Sequence, residues 1–127
     1  MSVAGVGVDL VEIERVRQML AEKGAHVYDR LLTPDEARYC RSRPDPAESV
    51  AARLAAKEAV YKALQGSPAA RGIGWREIEV VRDEDGRPEV ALAGLAAERA
   101  SVLGVQRIMV SLSHTHRAAV AVAVIES

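Results

Sequence analysis

The sequence predicts an α+β fold in which a largely antiparallel sheet packs against a long central helix. Two observations predict it. The element order is one strand, three helices, a hairpin, a helix and a second hairpin. The longest helical stretch lies mid-chain, bounded by Pro46 and Gly66. At 127 residues the chain is expected to form one domain, residues 1–127, with a single core and no linker.

Val3 to Val11 alternates glycine, valine and other apolar residues, which predicts a strand with Gly5, Gly7 and Asp9 on one face and Val6, Val8 and Leu10 on the other. The two glycines leave the face carrying Asp9 bare, so a backbone or a ligand can approach it closely. Gly5-Val6-Gly7 is not a dinucleotide-binding fingerprint, because the third glycine is missing and an aspartate follows. Asp9 is also placed to cap the next helix, Val11 to Lys23, which Gly24 would end. That helix exposes Glu12, Arg15, Gln18, Glu22 and Lys23, with Arg17 near its edge.

Thr33, Pro34 and Glu36 form a capping box with proline at the first helical position, opening a short helix to about Arg41. Pro44 and Pro46 break the chain, and the central helix runs from Asp45 or Pro46 to Gln65. A Gly- and Pro-rich loop, 66–74, carries Arg71 and could lie over a bound phosphate or serve only as a connection. Ile78 to Arg82 and Pro88 to Leu92 flank Asp83-Glu84-Asp85-Gly86, a hairpin signal. A helix from Leu95 to Leu103 follows, then strands Val105 to Ser113 and Ala118 to Ile125. The last strand is apolar on both faces, which predicts cover on both sides by helices or by another subunit.

Composition narrows the function. With 17 basic and 18 acidic residues the chain has no global field to gather nucleic acid or anionic membrane, so any anion site is local. There is no phenylalanine, so Ala, Val, Leu and Ile must fill the core. A single cysteine, Cys40, excludes an internal disulfide and fits a reducing cytoplasm. No signal-peptide pattern or apolar run long enough for a membrane helix is visible.

The central helix carries the densest chemistry. Leu54, Ala55, Ala59, Ala63 and Leu64 recur at helical spacing and face a core, while Arg53, Lys57, Glu58 and Lys62 occupy the opposite side. One carboxylate ringed by three cations suits a metal ion that holds a phosphate. It equally suits a solvated i,i+4 pair between Glu58 and Lys62, worth about 0.3–0.5 kcal/mol. Ser111, Ser113, His114 and His116 cluster at a strand end. Adjacent strand residues point to opposite faces, which disfavours a Ser113–His114 nucleophile and base. Zinc at His114 and His116 lacks further ligands at known spacing. Hydrogen bonding to an anion or nucleotide, or simple turn capping, fits the cluster.

Four segments, GVGVDLVEIERV (5–16), RLAAKEAVYKAL (53–64), DGRP (85–88) and SLSHT (111–115), resemble in order and spacing the blocks of the holo-acyl carrier protein synthases, which are 4'-phosphopantetheinyl transferases. The similarity spans essentially the whole chain and implies their fold. It implies that Asp9 and Glu58 bind magnesium, a hard cation suited to carboxylates, water and phosphate oxygens. It also implies transfer of phosphopantetheine from coenzyme A to a serine of an apo-acyl carrier protein, releasing adenosine 3',5'-bisphosphate, in fatty acid or polyketide biosynthesis. Asp9, Glu58 and Lys62 would be catalytic. Arg53, Lys57, Lys62, His114 and Ser113 would contact coenzyme A, with Glu58 or a magnesium-bound water taking the serine proton. Arg15, and Arg17 nearby, would dock the acidic carrier helix, although Glu22 interrupts a fully basic face. The small members of the family form trimers with coenzyme A between subunits, an assembly the apolar last strand suits. Two other classes compete, a non-catalytic binding module and a metal-dependent pyrophosphate hydrolase. An intact Asp9–Glu58 pair speaks against the first.

Overall fold

A computed structural model describes residues 2–65 and 72–127, so the expected helix stop at Gly66 and the loop residue Arg71 lie outside the described residues. Strand β1 (Val3–Glu12) leads into helix α1 (Ile13–Leu31), followed by α2 (Pro34–Arg41) and the central α3 (Pro46–Leu64). A 3-10 turn at Trp75–Glu77 precedes β2 (Ile78–Arg82) and β3 (Pro88–Leu92), then α4 (Gly94–Val102), β4 (Arg107–His114) and β5 (Ala118–Glu126). The strands form two antiparallel sheets, one in the order β1-β5-β4 and the other the β2-β3 hairpin. The α+β class is therefore as the sequence predicts.

The hairpin closes where glycine permits it. Gly86 has φ 80°, and the Asp83 carboxylate accepts hydrogen bonds from the amides of Asp85 and Arg87 at 2.9 and 2.8 Å. Helix α2 starts on the expected capping box, with Thr33 and Glu36 each accepting the other's backbone N–H.

Helix α3 is the spine of the molecule. Its second half packs small residues, Ala55, Ala59 and Ala63, against Ile78, Ala96, Ala123 and Ile125. Its first half packs Val50 and Leu54 against Ile13, Val16, Leu32 and Cys40. The Cys40 thiol sits 3.2 Å from the Ser49 hydroxyl, and burial pushes its pKa up, so it is an unreactive core residue.

Two expectations need correction. The first helix does not stop at Gly24. It kinks at Lys23 (φ -142°, ψ 42°) and continues to Leu31, because Val27 and Tyr28 renew its buried face. Asp9 is no helix cap, since it lies within β1 and Glu12 occupies the cap position. Of the cover expected on both faces of the last strand, the described residues supply one face: Ala119, Ala121, Ala123 and Ile125 are buried, while Val122 is exposed. Register places Val122 beside Val8, and Val120 beside Leu10, on the outer sheet face. Val6, Val8 and Leu10 are 60%, 55% and 62% exposed there, an apolar face unpartnered within one chain.

Candidate active site

The bare face of β1 decides where Asp9 goes. A methyl group at Gly7 would lie 1.8 Å from the Ala59 carbonyl oxygen, and one at Gly5 would lie 2.2 Å from that of Ala63. Only glycine lets the strand rest on the helix backbone at those two points. Two strand residues advance about 6.6 Å and four helical residues about 6 Å, so the next inward side chain, Asp9, arrives a turn further toward the α3 N-terminus. That delivers it to the turn bearing Glu58. Helical side chains lean the same way, and Lys62 donates from Nζ to Asp9 Oδ1 at 3.0 Å and to the Val8 carbonyl at 3.1 Å.

The expected Glu58–Lys62 pair is therefore replaced by Asp9–Lys62. Partial burial, and then the neighbouring Asp9 charge, push the Glu58 carboxyl above its ordinary pKa, while Lys62 pulls it back. Asp9 and Glu58 feel each other's charge, Lys62 offsets it in part, and a divalent cation would relieve what remains. Among the described residues no third His, Cys, Asp or Glu joins them. Two hard carboxylates, with water and phosphate oxygens, would suit magnesium. The same finding leaves His114 and His116 without a zinc site.

Lys57 and Arg53 do not lie on a solvated face as the spacing suggests. Both are buried, because α2 and the Trp75 turn cover that side of α3. Lys57 Nζ stands 2.6 Å from Glu36 Oε1 and donates to the Trp75 carbonyl at 2.9 Å. Burial pushes the ammonium's pKa down and Glu36 opposes that. Lys57 does border a cavity of about 270 Å³, lined also by Glu58, Tyr61, Ile73, Trp75 and Ile78, but its charge is already engaged.

Arg53 stacks over the Tyr39 ring, 4.3 Å from its centroid, and donates to the Ser49 hydroxyl at 3.0 Å. Its buried Nε has no partner among the described residues. A second cavity of about 280 Å³ brings Arg53, Arg43, Arg82 and His114 together, and Asp45 and Glu48 line it as well. His114 Nδ1 lies 3.7 Å from Glu48, an ion pair when the imidazole is protonated. Two of the sequence-predicted coenzyme A contacts thus share one cavity. Ser113 does not join them, because it pairs with Val120 on the outer sheet face while His114 pairs with Ala119 on the inner one.

The family model for the 4'-phosphopantetheinyl transferase superfamily matches residues 5–123. The chain belongs to this superfamily. The holo-[acyl-carrier-protein] synthase of Koribacter versatilis is 41% identical over 98% of both chains. Among solved structures, the transferase is similar to the holo-[acyl-carrier-protein] synthase of Neisseria meningitidis, at TM-score 0.86 and 28% identity over 98% of this chain and 99% of that one. It is also similar to the Helicobacter pylori synthase in complex with coenzyme A, at TM-score 0.80 and 26% identity over 95% of this chain and 99% of that one.

Of the transferase's two expected docking residues, both on α1, Arg15 is exposed and makes no ion pair among the described residues. Arg17 is engaged, by Glu14 at 3.0 Å and by Asp45 at 2.6 Å, which ties α1 to the start of α3. Sequence reasoning missed Glu36, Tyr39, Arg43 and Arg82. Glu36 showed only as a local capping residue, and nothing in its spacing reveals a partner 21 positions on. No helix among the described residues is long and apolar enough to cross a membrane.

Proposed function

We propose that this transferase moves the 4'-phosphopantetheine group of coenzyme A onto a serine hydroxyl of an apo-acyl carrier protein, releasing adenosine 3',5'-bisphosphate, in fatty acid or polyketide biosynthesis. The observation that supports this is the close seating of β1 on α3, which puts Asp9 on Lys62 and within the electrostatic reach of Glu58. Asp9 and Glu58 would hold magnesium, whose charge neutralises the pyrophosphate at which the bond breaks. Lys62 would shift from Asp9 to the pyrophosphate oxygens. Glu58 or a magnesium-bound water would take the serine proton as the new oxygen–phosphorus bond forms.

Arg53 lies five residues before Glu58, about 7.5 Å along the helix, so a long nucleotide substrate can span both cavities. The guanidiniums of Arg43, Arg53 and Arg82 with His114 would take a phosphate. The cavity beside Glu58 leaves room for the pantetheine arm. We place the enzyme in the cytoplasm, which its buried free cysteine suits. The apolar outer face of β1 and β5 supports a homotrimer, through which Ser113 could reach a neighbour's coenzyme A; a one-chain sedimentation mass at micromolar concentration would contradict it.

The test is incubation with coenzyme A and magnesium, with and without an apo-carrier protein. Transfer predicts release of adenosine bisphosphate only when the carrier is present. Release without the carrier indicates a hydrolase, and release in neither tube a binding module. In the same assay Arg15→Glu is expected to raise KM for the acidic carrier by about tenfold or more and leave KM for coenzyme A unchanged. An unaltered carrier KM would place docking elsewhere.

A further inference from the structure

Glu36 is 2% exposed and bonds in three directions. It accepts from the Thr33 amide at 2.9 Å and the Val80 amide at 2.8 Å, and pairs with Lys57 at 2.6 Å, so one carboxylate ties α2, β2 and α3 together. Through Lys57 the tie extends to the Trp75 carbonyl. The turn at Trp75 is pinned on its other side by Glu77, which accepts from the amides of Gly74 at 2.9 Å and Ala96 at 3.1 Å. Trp75 itself borders two spaces. One is the 270 Å³ cavity that contains Glu58; the other, about 580 Å³, is lined by Met19, Lys23, His26 and Arg30 of α1.

A buried ion pair roughly breaks even against apolar residues of similar volume, so the fold gains little by keeping one here. What an ammonium adds over a methionine is direction, since it donates at once to a carboxylate and to a chosen carbonyl. We infer that Glu36 is a positioning residue for the transfer reaction: through Lys57 it fixes the Trp75 main chain, and with it the wall of the cavity beside Glu58. The inference rests on the transferase reading. A wall displaced by an ångström misplaces a substrate chain lying against it, and a misplacement of that size costs up to about a hundredfold in rate.

Three variants separate positioning from mere support, each read by melting temperature, by kcat and KM, and by the emission of Trp75, the protein's only tryptophan. Glu36→Gln strands a buried ammonium and should lower both Tm and kcat. Glu36→Gln/Lys57→Met removes both charges, so Tm should rise above that of Glu36→Gln, short of native because glutamine offers one acceptor oxygen to the Thr33 and Val80 amides, while kcat stays at least about tenfold down, with KM for coenzyme A within about twofold. Emission should be displaced in both. Glu36→Asp keeps the charge but withdraws it, and should lower kcat and displace emission with a modest change in Tm. The inference is overturned if kcat returns with Tm in the double variant, if KM for coenzyme A rises at native kcat, or if Glu36→Asp keeps native turnover and emission. Absence of transfer by the native protein would instead sink the functional reading, and the emission shift would still report on the Trp75 tie.

Discussion

Glu58→Gln is expected to abolish transfer, by at least about a hundredfold in kcat, while leaving the protein as stable as the native chain or more so at neutral pH. The activity loss follows from removing a magnesium ligand, and with it either the group or the bound water that would take the serine proton. The stability result follows from the direction of the pKa shift. Partial burial and the Asp9 charge raise the Glu58 pKa in the folded state. A raised carboxyl pKa means that folding favours the protonated form, so the group's favourable contribution is present below the ordinary carboxyl pKa and is lost as pH rises through the folded value. At neutral pH the native protein therefore carries a repulsion that glutamine lacks. Melting curves should show the variant at or above native at pH 7.5, with the gap narrowing toward pH 4. Retained turnover in saturating magnesium would remove Glu58 from the mechanism, and a Tm several degrees below native would mean that a partner stabilises the carboxylate.

Gly7→Ala should cost about 2 kcal/mol or more, a fall in Tm of roughly 8 °C, and most of the activity with it. The added methyl would sit 1.8 Å from the Ala59 carbonyl oxygen, which belongs to helix backbone and has no rotamer by which to retreat. Strand and helix must separate, and Asp9 moves away from Glu58 with the strand. Gly24→Ala is the matched control. It meets nothing within 4 Å, and Gly24 is not among the glycines with positive φ, so alanine there should be neutral or stabilising by about 0.5–1 kcal/mol. Equal stability of the two variants in thermal melts would mean that β1 does not depend on backbone contact with α3.

The parts of this architecture that the sequence discloses are those written in local periods. The alternation around Gly5, Gly7 and Asp9 announces a strand with one bare face, and the Thr33–Glu36 box announces a helix start, because each signal fits within one turn or two strand residues. Long-range burial is different. Arg53 and Lys57 read as surface cations since their partners, Tyr39 and Glu36, lie on another helix, and charge alone does not say that a helix will cover them. The second half of α1 was hidden by Gly24, a glycine that ends many helices but here only follows a kink. The outer face of β5 is apolar yet partly uncovered among the described residues, which local periodicity does not distinguish from a buried face.

At the centre stands the claim that Asp9 and Glu58 together hold one divalent ion against the pyrophosphate of coenzyme A. Calorimetric titration of coenzyme A with and without magnesium tests it directly, on the native protein and on Asp9→Asn/Glu58→Gln. Magnesium should tighten binding by about tenfold or more in the native protein and not at all in the double variant; equal tightening in both would contradict the account.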